Sequence, residues 1–247
     1  MTKRSAPSSA KLTLAHPGAT RRALRHLRQA DPVLAELIAQ VGQCGYQLRA
    51  DGAHFDHLVR AIVYQQLAGK AAATIYGRVQ ALYGGRPPTA AELAATSPAR
   101  LRRAGLSRQK LGYLKDLARR VAAGRVALEA LDSLPDEAVI EALTAIRGVG
   151  IWTAQMFLMF RLGRLDVLPV LDLGIQKGMR RTYALRGMPK PAEMERIAAG
   201  WSPYRSVACW YLWRAAELPD RTPQPRPTRR VQPDRASRPR AAAARRA

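Results

Sequence analysis

Between Leu143 and Met179 an apolar helix runs into Arg147-Gly148-Val149-Gly150, and a second helix starts at once with Ile151-Trp152-Thr153-Ala154. Two glycines around one small apolar residue let the chain reverse within a few residues, because glycine tolerates dihedrals that other residues resist. Such a reversal sets the carbonyl-rich end of one helix beside the amide-rich start of the next. A helix start of that kind attracts an anion, through unsatisfied N–H groups and the positive end of the dipole. Asp172 then opens a further helix, just after an extended Leu168-Pro169-Val170 segment. The stretch reads as a helical hairpin with an anion grip, followed at short range by a lone carboxylate.

The rest of the chain is patterned for helices. The apolar residues Phe55, Leu58, Val59, Ile62 and Val63 recur at three and four residues, the period of an amphipathic helix. Ser107 begins another, with Leu111, Leu114, Leu117, Ala118 and Val121 on one face. Further helices are expected over 21–30, 31–41, 68–82, 89–95, 98–104, 135–146, 151–162, 173–185, 191–199 and 203–217. No segment sustains the alternation of a strand, so the fold class is all-α. Residues 1–19 are rich in Ser, Ala and Pro and are expected to be flexible. Residues 219–247 hold almost nothing but Arg, Pro, Ala and small polar residues, and disorder is expected there.

The formal charge is +23. The first 20 residues account for +3 of it and residues 219–247 for +7, which leaves +13 on the folded part between them. A core this basic points to a polyanion as partner. Cys44 and Cys209 stand far apart, with neither CxxC nor Cys/His zinc spacing, so a structural zinc or an iron–sulfur cluster is not expected. His54 and His57 are read as surface residues. No apolar run is long enough for a membrane span and the N-terminus lacks the apolar core of a signal peptide. A reducing, cytoplasmic setting is expected.

Asp172 has two compatible readings. As an N-cap it would accept the N–H of Gly174 or Ile175; as a fixed, ionised carboxylate it could act on a substrate. Asp166 lies before the extended segment and reads as structural.

The hairpin Ile146-Arg147-Gly148-Val149-Gly150-Ile151-Trp152-Thr153-Ala154, followed by Asp166-Val167-Leu168-Pro169-Val170-Leu171-Asp172-Leu173-Gly174-Ile175-Gln176-Lys177, resembles the helix-hairpin-helix DNA glycosylases of the Gly/Pro-Asp group. Within them it is most similar to the 3-methyladenine DNA glycosylase II family. Three more blocks agree in order: Phe55 to Gln66 with Lys70-Ala71-Ala72, Gly105-Leu106-Ser107 to Ala118, and Trp201 to Arg214. The resemblance spans about residues 20 to 217. It leaves no room for the N-terminal α/β domain that some members carry, so a short form is expected.

The resemblance implies two helical subdomains in residues 20–218, flanking a DNA-binding cleft. It puts the catalytic aspartate at Asp172 and phosphate contacts on the hairpin at Arg147, Gly148, Val149, Gly150 and Thr153. It implies a base pocket built with Trp152, Trp213 and Met156, the last replacing an aromatic of some relatives. It also implies a wedge that fills the gap left by the extruded base, from Gln66 or Leu67. The carbonyls of Thr144, Ile146 and Val149 correspond to those that bind a monovalent cation, Na+ or K+, in family hairpins; no other cofactor is expected. Members that also cleave the strand carry a lysine where this chain has Trp152, so a monofunctional enzyme is expected, acting as a monomer on double-stranded DNA with damaged bases. Its reaction would be release of alkylated purines. A glycosylase of the same fold for an oxidised or deaminated base, and a non-catalytic binding module, are the alternatives.

Overall fold

The computed structural model describes residues 13–49 and 51–218. Of the flexible start expected over 1–19, residues 1–12 lie outside them, whereas Leu14 N–H donates to Gly163 O at 2.8 Å and Ala19 already opens a helix. The disordered end expected at 219–247 lies outside them as well. Twelve α-helices follow one another: α1 Ala19–Ala30, α2 Pro32–Val41, α3 His54–Tyr64, α4 Gly69–Ala81, α5 Ala90–Ala95, α6 Pro98–Arg103, α7 Arg108–Ala122, α8 Asp136–Thr144, α9 Ile151–Phe160, α10 Leu173–Thr182, α11 Pro191–Ile197 and α12 Arg205–Glu217. Two 3-10 turns, Leu128–Asp132 and Ala198–Trp201, join them. Among the described residues there is no strand, only a single antiparallel bridge between Thr13 and Arg164. Among the described residues no helix is long and apolar enough to cross a membrane.

Local chemistry sets the helix starts. Asp31 caps α2 by accepting Leu34 N–H at 3.0 Å, Ser107 caps α7 through Lys110 N–H at 3.1 Å, and Thr89 with Glu92 forms a reciprocal capping box on α5. These caps satisfy amides that the helix itself leaves without acceptors. The apolar face foreseen in α3 is buried throughout, from Phe55 to Val63.

The chain begins and ends in the same place. Helices α1 and α2 pack on α12, and α10 lies against both α2 and α12. Asp31 ties this group further, accepting from Tyr183 Oη at 2.6 Å and from Trp201 Nε1 at 2.8 Å. Between the two ends, α3 packs on α4, α7 and α9, while α5 and α6 lean on α7 and α8 on α9. The described residues up to Glu217 form one compact unit.

Helix α10 approaches α12 through two glycines one turn apart. A Cβ on Gly178 would lie 2.0 Å from Leu212 O, and one on Gly174 would lie 2.8 Å from Trp213 Cδ1. Only glycine permits this spacing, and the spacing brings the start of α10 against the Trp213 side chain.

His54 and His57, expected at the surface, are half-buried. Arg161 Nε donates to His54 Nδ1 at 2.8 Å, leaving the ring proton on Nε2 to meet Asp132 Oδ2 at 3.0 Å. The His57 ring meets Asp51 O at 2.8 Å, and burial lowers its pKa despite that contact. These partners lie on other elements or in the loop before α3, so helical spacing alone could not reveal them.

Candidate active site

The hairpin is held from both sides. Gly148 adopts φ +86°, and Tyr113 lies where its Cβ would be, at 2.2 to 2.6 Å. Its carbonyl accepts Gln65 Nε2 at 2.9 Å, and Arg147 N–H donates to Asp116 Oδ2 at 2.9 Å. Lys110 supports the Gln65 end, its ammonium donating to Val63 O at 2.8 Å and Gln65 O at 2.6 Å. Gly148→Ala is therefore expected to destabilise the fold by about 1 kcal/mol for the left-handed backbone and by about 1–3 kcal/mol more for overlap with Tyr113. Urea unfolding of Gly148→Ala with and without Tyr113→Ala checks this, because removing the ring should recover the second contribution and not the first.

Gly150 caps α9 without a side chain, and the first intrahelical bond runs from Ala154 N–H to Gly150 O. The amides of Ile151, Trp152 and Thr153 therefore have no acceptor within the helix, as an anion grip requires. Thr153 is buried at its side chain, so only its backbone is available. Val149 departs from the expected phosphate set: its N–H is donated to Ile146 O at 3.0 Å and its side chain is buried. A three-residue turn spends that amide internally. Arg147 is exposed and keeps its guanidinium at the surface.

Above the hairpin opens a cleft of about 630 Å³. Of the residues expected at the site, Gln66, Gly148, Gly150, Trp152, Thr153 and Met156 line it. Gln66 stands at its rim with φ +56°, a conformation uncommon for a residue with a side chain and met most often at working sites. Leu67 is not in the wall; it is exposed beside Gln66. Trp213 is also set back, stacked on Phe160 at 5.7 Å between ring centres, and it is Phe160 that reaches the cleft. Phe160, Tyr113 and Gln65 were not foreseen, since each acts through a partner distant in sequence.

Asp172 sits behind Trp152 and is 8% exposed. It caps α10 through Oδ1, accepting Ile175 N–H at 2.8 Å, so the cap falls on Ile175 and not on Gly174. Trp213 Nε1 donates to the same oxygen at 2.8 Å, and Trp152 Nε1 donates to Oδ2 at 2.7 Å. A carboxylate oxygen has about two acceptor sites. Oδ1 is thus full, and Oδ2 keeps one lone pair.

The three donors are neutral N–H groups. Among the described residues no Lys or Arg pairs with Asp172, whereas Asp166 is clamped by Arg205 at 2.6 Å and by Ser202 at 2.8 Å. Burial raises the pKa of Asp166, but Arg205 and Ser202 outweigh it and hold the carboxyl below its usual range. One aspartate has its charge matched and a structural task. The other is fixed in place with its charge unmatched, beside a Trp152 that is 45% exposed.

A solved glycosidase from Bacillus halodurans, titled DNA-3-methyladenine glycosidase, is 40% identical and superimposes with a TM-score of 0.71, covering 83% of this chain and 91% of that one. A Schizosaccharomyces pombe structure, titled 3-methyladenine DNA glycosylase (Mag1) in complex with abasic DNA, gives 32% identity and a TM-score of 0.72 over 80% of this chain and 97% of its own. The protein of the same yeast named DNA-3-methyladenine glycosylase 1 is 35% identical over 175 residues, 70% of this chain and 77% of its own length. Residues 59–203 match the model of the HhH-GPD superfamily of base excision DNA repair proteins, and the chain belongs to that family.

Proposed function

We propose that the protein releases N-alkylated purines such as 3-methyladenine from duplex DNA by hydrolysis, leaving the strand uncut. The observation that carries this reading is the pair Trp152 and Asp172: an indole that lines the cleft, whose N–H donates to a carboxylate that no cation neutralises among the described residues. The similarity to proteins named for 3-methyladenine supports the choice of lesion.

The amides of Ile151, Trp152 and Thr153 and the Arg147 side chain grip the backbone beside the lesion while the base is turned out of the stack, at a cost of a few kcal/mol. Gln66, at the rim and in a strained backbone, is the better placed of the two wedge candidates. A cationic alkylpurine stacks on the Trp152 face with a gain of about 0.5–2 kcal/mol, and Phe160 offers a second ring in the cleft. As the bond between C1′ and N9 breaks, its electron pair neutralises the departing base and the sugar becomes oxocarbenium-like. Asp172 stabilises that charge, and its one open lone pair on Oδ2 can take the proton of the water that adds to C1′.

Strand cleavage by a Schiff base needs a free amine. Trp152 occupies the position of the family's lyase lysine. The one amine lining the cleft, on Lys110, is engaged by two backbone carbonyls. The carbonyls of Thr144, Ile146 and Val149 end α8 and its turn, and the Ile146 oxygen retains a lone pair beyond the one taken by Val149 N–H. They would hold a monovalent cation, which would stiffen the turn and add positive charge near the bound phosphate. The enzyme acts as a monomer.

The test is to incubate duplex DNA bearing methylated, oxidised or deaminated bases with the protein and identify the free bases by mass. Release of 3-methyladenine, with abasic strands that break only on heating in alkali and no borohydride-trapped adduct, is the expected result. Faster release of 8-oxoguanine or uracil would reassign the lesion.

Trp152 carries two tasks that substitutions separate. Trp152→Phe keeps a ring and loses the N–H, so a hydrogen bond to a charged group worth about 1.5–3 kcal/mol disappears. The turnover rate should drop roughly tenfold to a hundredfold, with little change in KM. Trp152→Ala should in addition lose preference for alkylated over normal purines, while affinity for undamaged duplex changes less than selectivity. Steady-state kinetics on matched substrates reads both.

A further inference from the structure

Away from the cleft, a shallow pocket of about 230 Å³ lies between α4 and α6, lined by Arg78, Arg100 and Arg103 together with Ala81, Leu82 and Ala104. No acidic residue lines it. Among the described residues these three guanidinium groups have neither a hydrogen bond nor an ion pair, while the neighbouring Arg102 is spent on Leu106 O at 2.5 Å. The turn that seats them is tightly made. A Cβ on Gly105 would lie 3.2 Å from Ile75 Cγ1 and 3.8 Å from Arg78 Nη1, so the turn that follows α6 lies close against α4. Arginines at the last turns of two helices gain something from the helix dipoles. That gain does not require three like charges from two elements to converge on one depression without a carboxylate, an arrangement that costs repulsion until an anion enters. Planar guanidinium forks match phosphate oxygens two at a time.

We infer that this pocket is a second phosphate site, which holds the backbone of the duplex outside the excision cleft; the inference rests on the glycosylase reading above. The distance is suitable. Helix α4 starts at Gly69, three residues after Gln66 at the cleft rim, and nine residues at 1.5 Å set Arg78 about 13 Å further along. That is well within half a turn of duplex, about 17 Å. The turn at Gly105 continues directly into Ser107 and α7, whose Gln109 and Lys110 line the cleft. Both elements of the pocket are thus joined by short connections to residues that line the cleft.

The test is a cycle between protein and DNA. The triple variant Arg78→Gln, Arg100→Gln, Arg103→Gln is compared with the unaltered protein on a duplex holding a central tetrahydrofuran abasic analogue. Each arm is about 10 base pairs long, or is trimmed in turn to about three. The three side chains are exposed, so the melting temperature should be unchanged. For the long duplex, the slope of log affinity against log salt should fall by about two to three in the variant. Trimming one particular arm should cost the unaltered protein a similar amount and the variant almost nothing. Single-turnover release of 3-methyladenine at saturating DNA should stay within about twofold, since the pocket touches no reacting atom.

If the losses from trimming and from substitution simply add, the pocket does not hold that duplex and the inference fails. If inorganic phosphate alone stabilises the unaltered protein and not the variant while the losses add, the pocket belongs to a free anion, which overturns it equally. Failure of the unaltered protein to release any base, with the cycle still non-additive, would sink the glycosylase reading and leave the pocket as a DNA contact.

Discussion

Asp172→Asn should slow release of 3-methyladenine by about a thousandfold while duplex affinity is kept or raised. The size follows from the charge. A carboxylate about 4 Å from a developing unit positive charge, at an effective dielectric near 20, contributes about 4 kcal/mol, and each 1.36 kcal/mol is tenfold in rate. Among the described residues no counter-ion sits on Asp172 to dilute that effect. Stability should change much less, because asparagine caps helices about as well as aspartate. The geometry dictates which way the amide turns. Its oxygen must stay where Oδ1 is, facing Ile175 N–H and Trp213 Nε1. The NH2 group then faces Trp152 Nε1, donor against donor, at the place where 2.7 Å now separates donor and acceptor. Trp152 must swing away or lose its partner, at about 1–3 kcal/mol. Rapid-quench kinetics together with tryptophan fluorescence would read both consequences. Loss of DNA binding in step with activity would mean that Asp172 serves only as a cap of α10.

The lone charge and its cap were legible in the sequence because both depend on residues within one turn. An aspartate before an apolar helix predicts a cap, and Gly148-Val149-Gly150 predicts a hairpin. The same local reasoning placed α3 and α7 through their apolar faces and through Ser107. It failed where partners come from afar. Nothing near Gly148 announces Gln65 or Tyr113, which lie 83 and 35 residues away, and nothing near His54 announces Arg161 or Asp132. Both tryptophans were expected in the base pocket; Trp152 does line the cleft, and what the sequence did not announce is that both turn their N–H groups onto Asp172. Val149 was expected to offer an amide that the turn consumes itself. One signal was present and went unread: Gly174 and Gly178 stand one helical turn apart, on the same face of α10.

Those two glycines yield the largest expected change in stability. A methyl group on Gly178 would lie 2.0 Å from Leu212 O and 2.6 Å from Leu212 C, where ordinary contact begins near 3.4 Å. Both obstacles are backbone atoms inside α12, so no side-chain rotation relieves the overlap. Helix α10 must move outward by more than an ångström along its main contact with the rest of the fold. Overpacking of this kind costs about 3 kcal/mol or more, against a total stability of about 5–15 kcal/mol for a domain. Gly77→Ala is the matched control. It too lies inside a helix, with nothing within 4 Å of the added Cβ, so it should stabilise by about 0.5–1 kcal/mol through helix propensity and a less flexible unfolded chain. Urea unfolding of the two variants should therefore give shifts of opposite sign for the same chemical change. The fraction of Gly178→Ala that folds carries a further consequence. Asp172 rides on the start of α10 and Trp213 on α12, so separating the helices pulls Trp213 Nε1 away from Oδ1. Base release per folded molecule should then fall by tenfold or more with duplex affinity little changed, since the hairpin lies on α8 and α9. Full activity per folded molecule would show that the position of Asp172 does not depend on the spacing of α10 and α12.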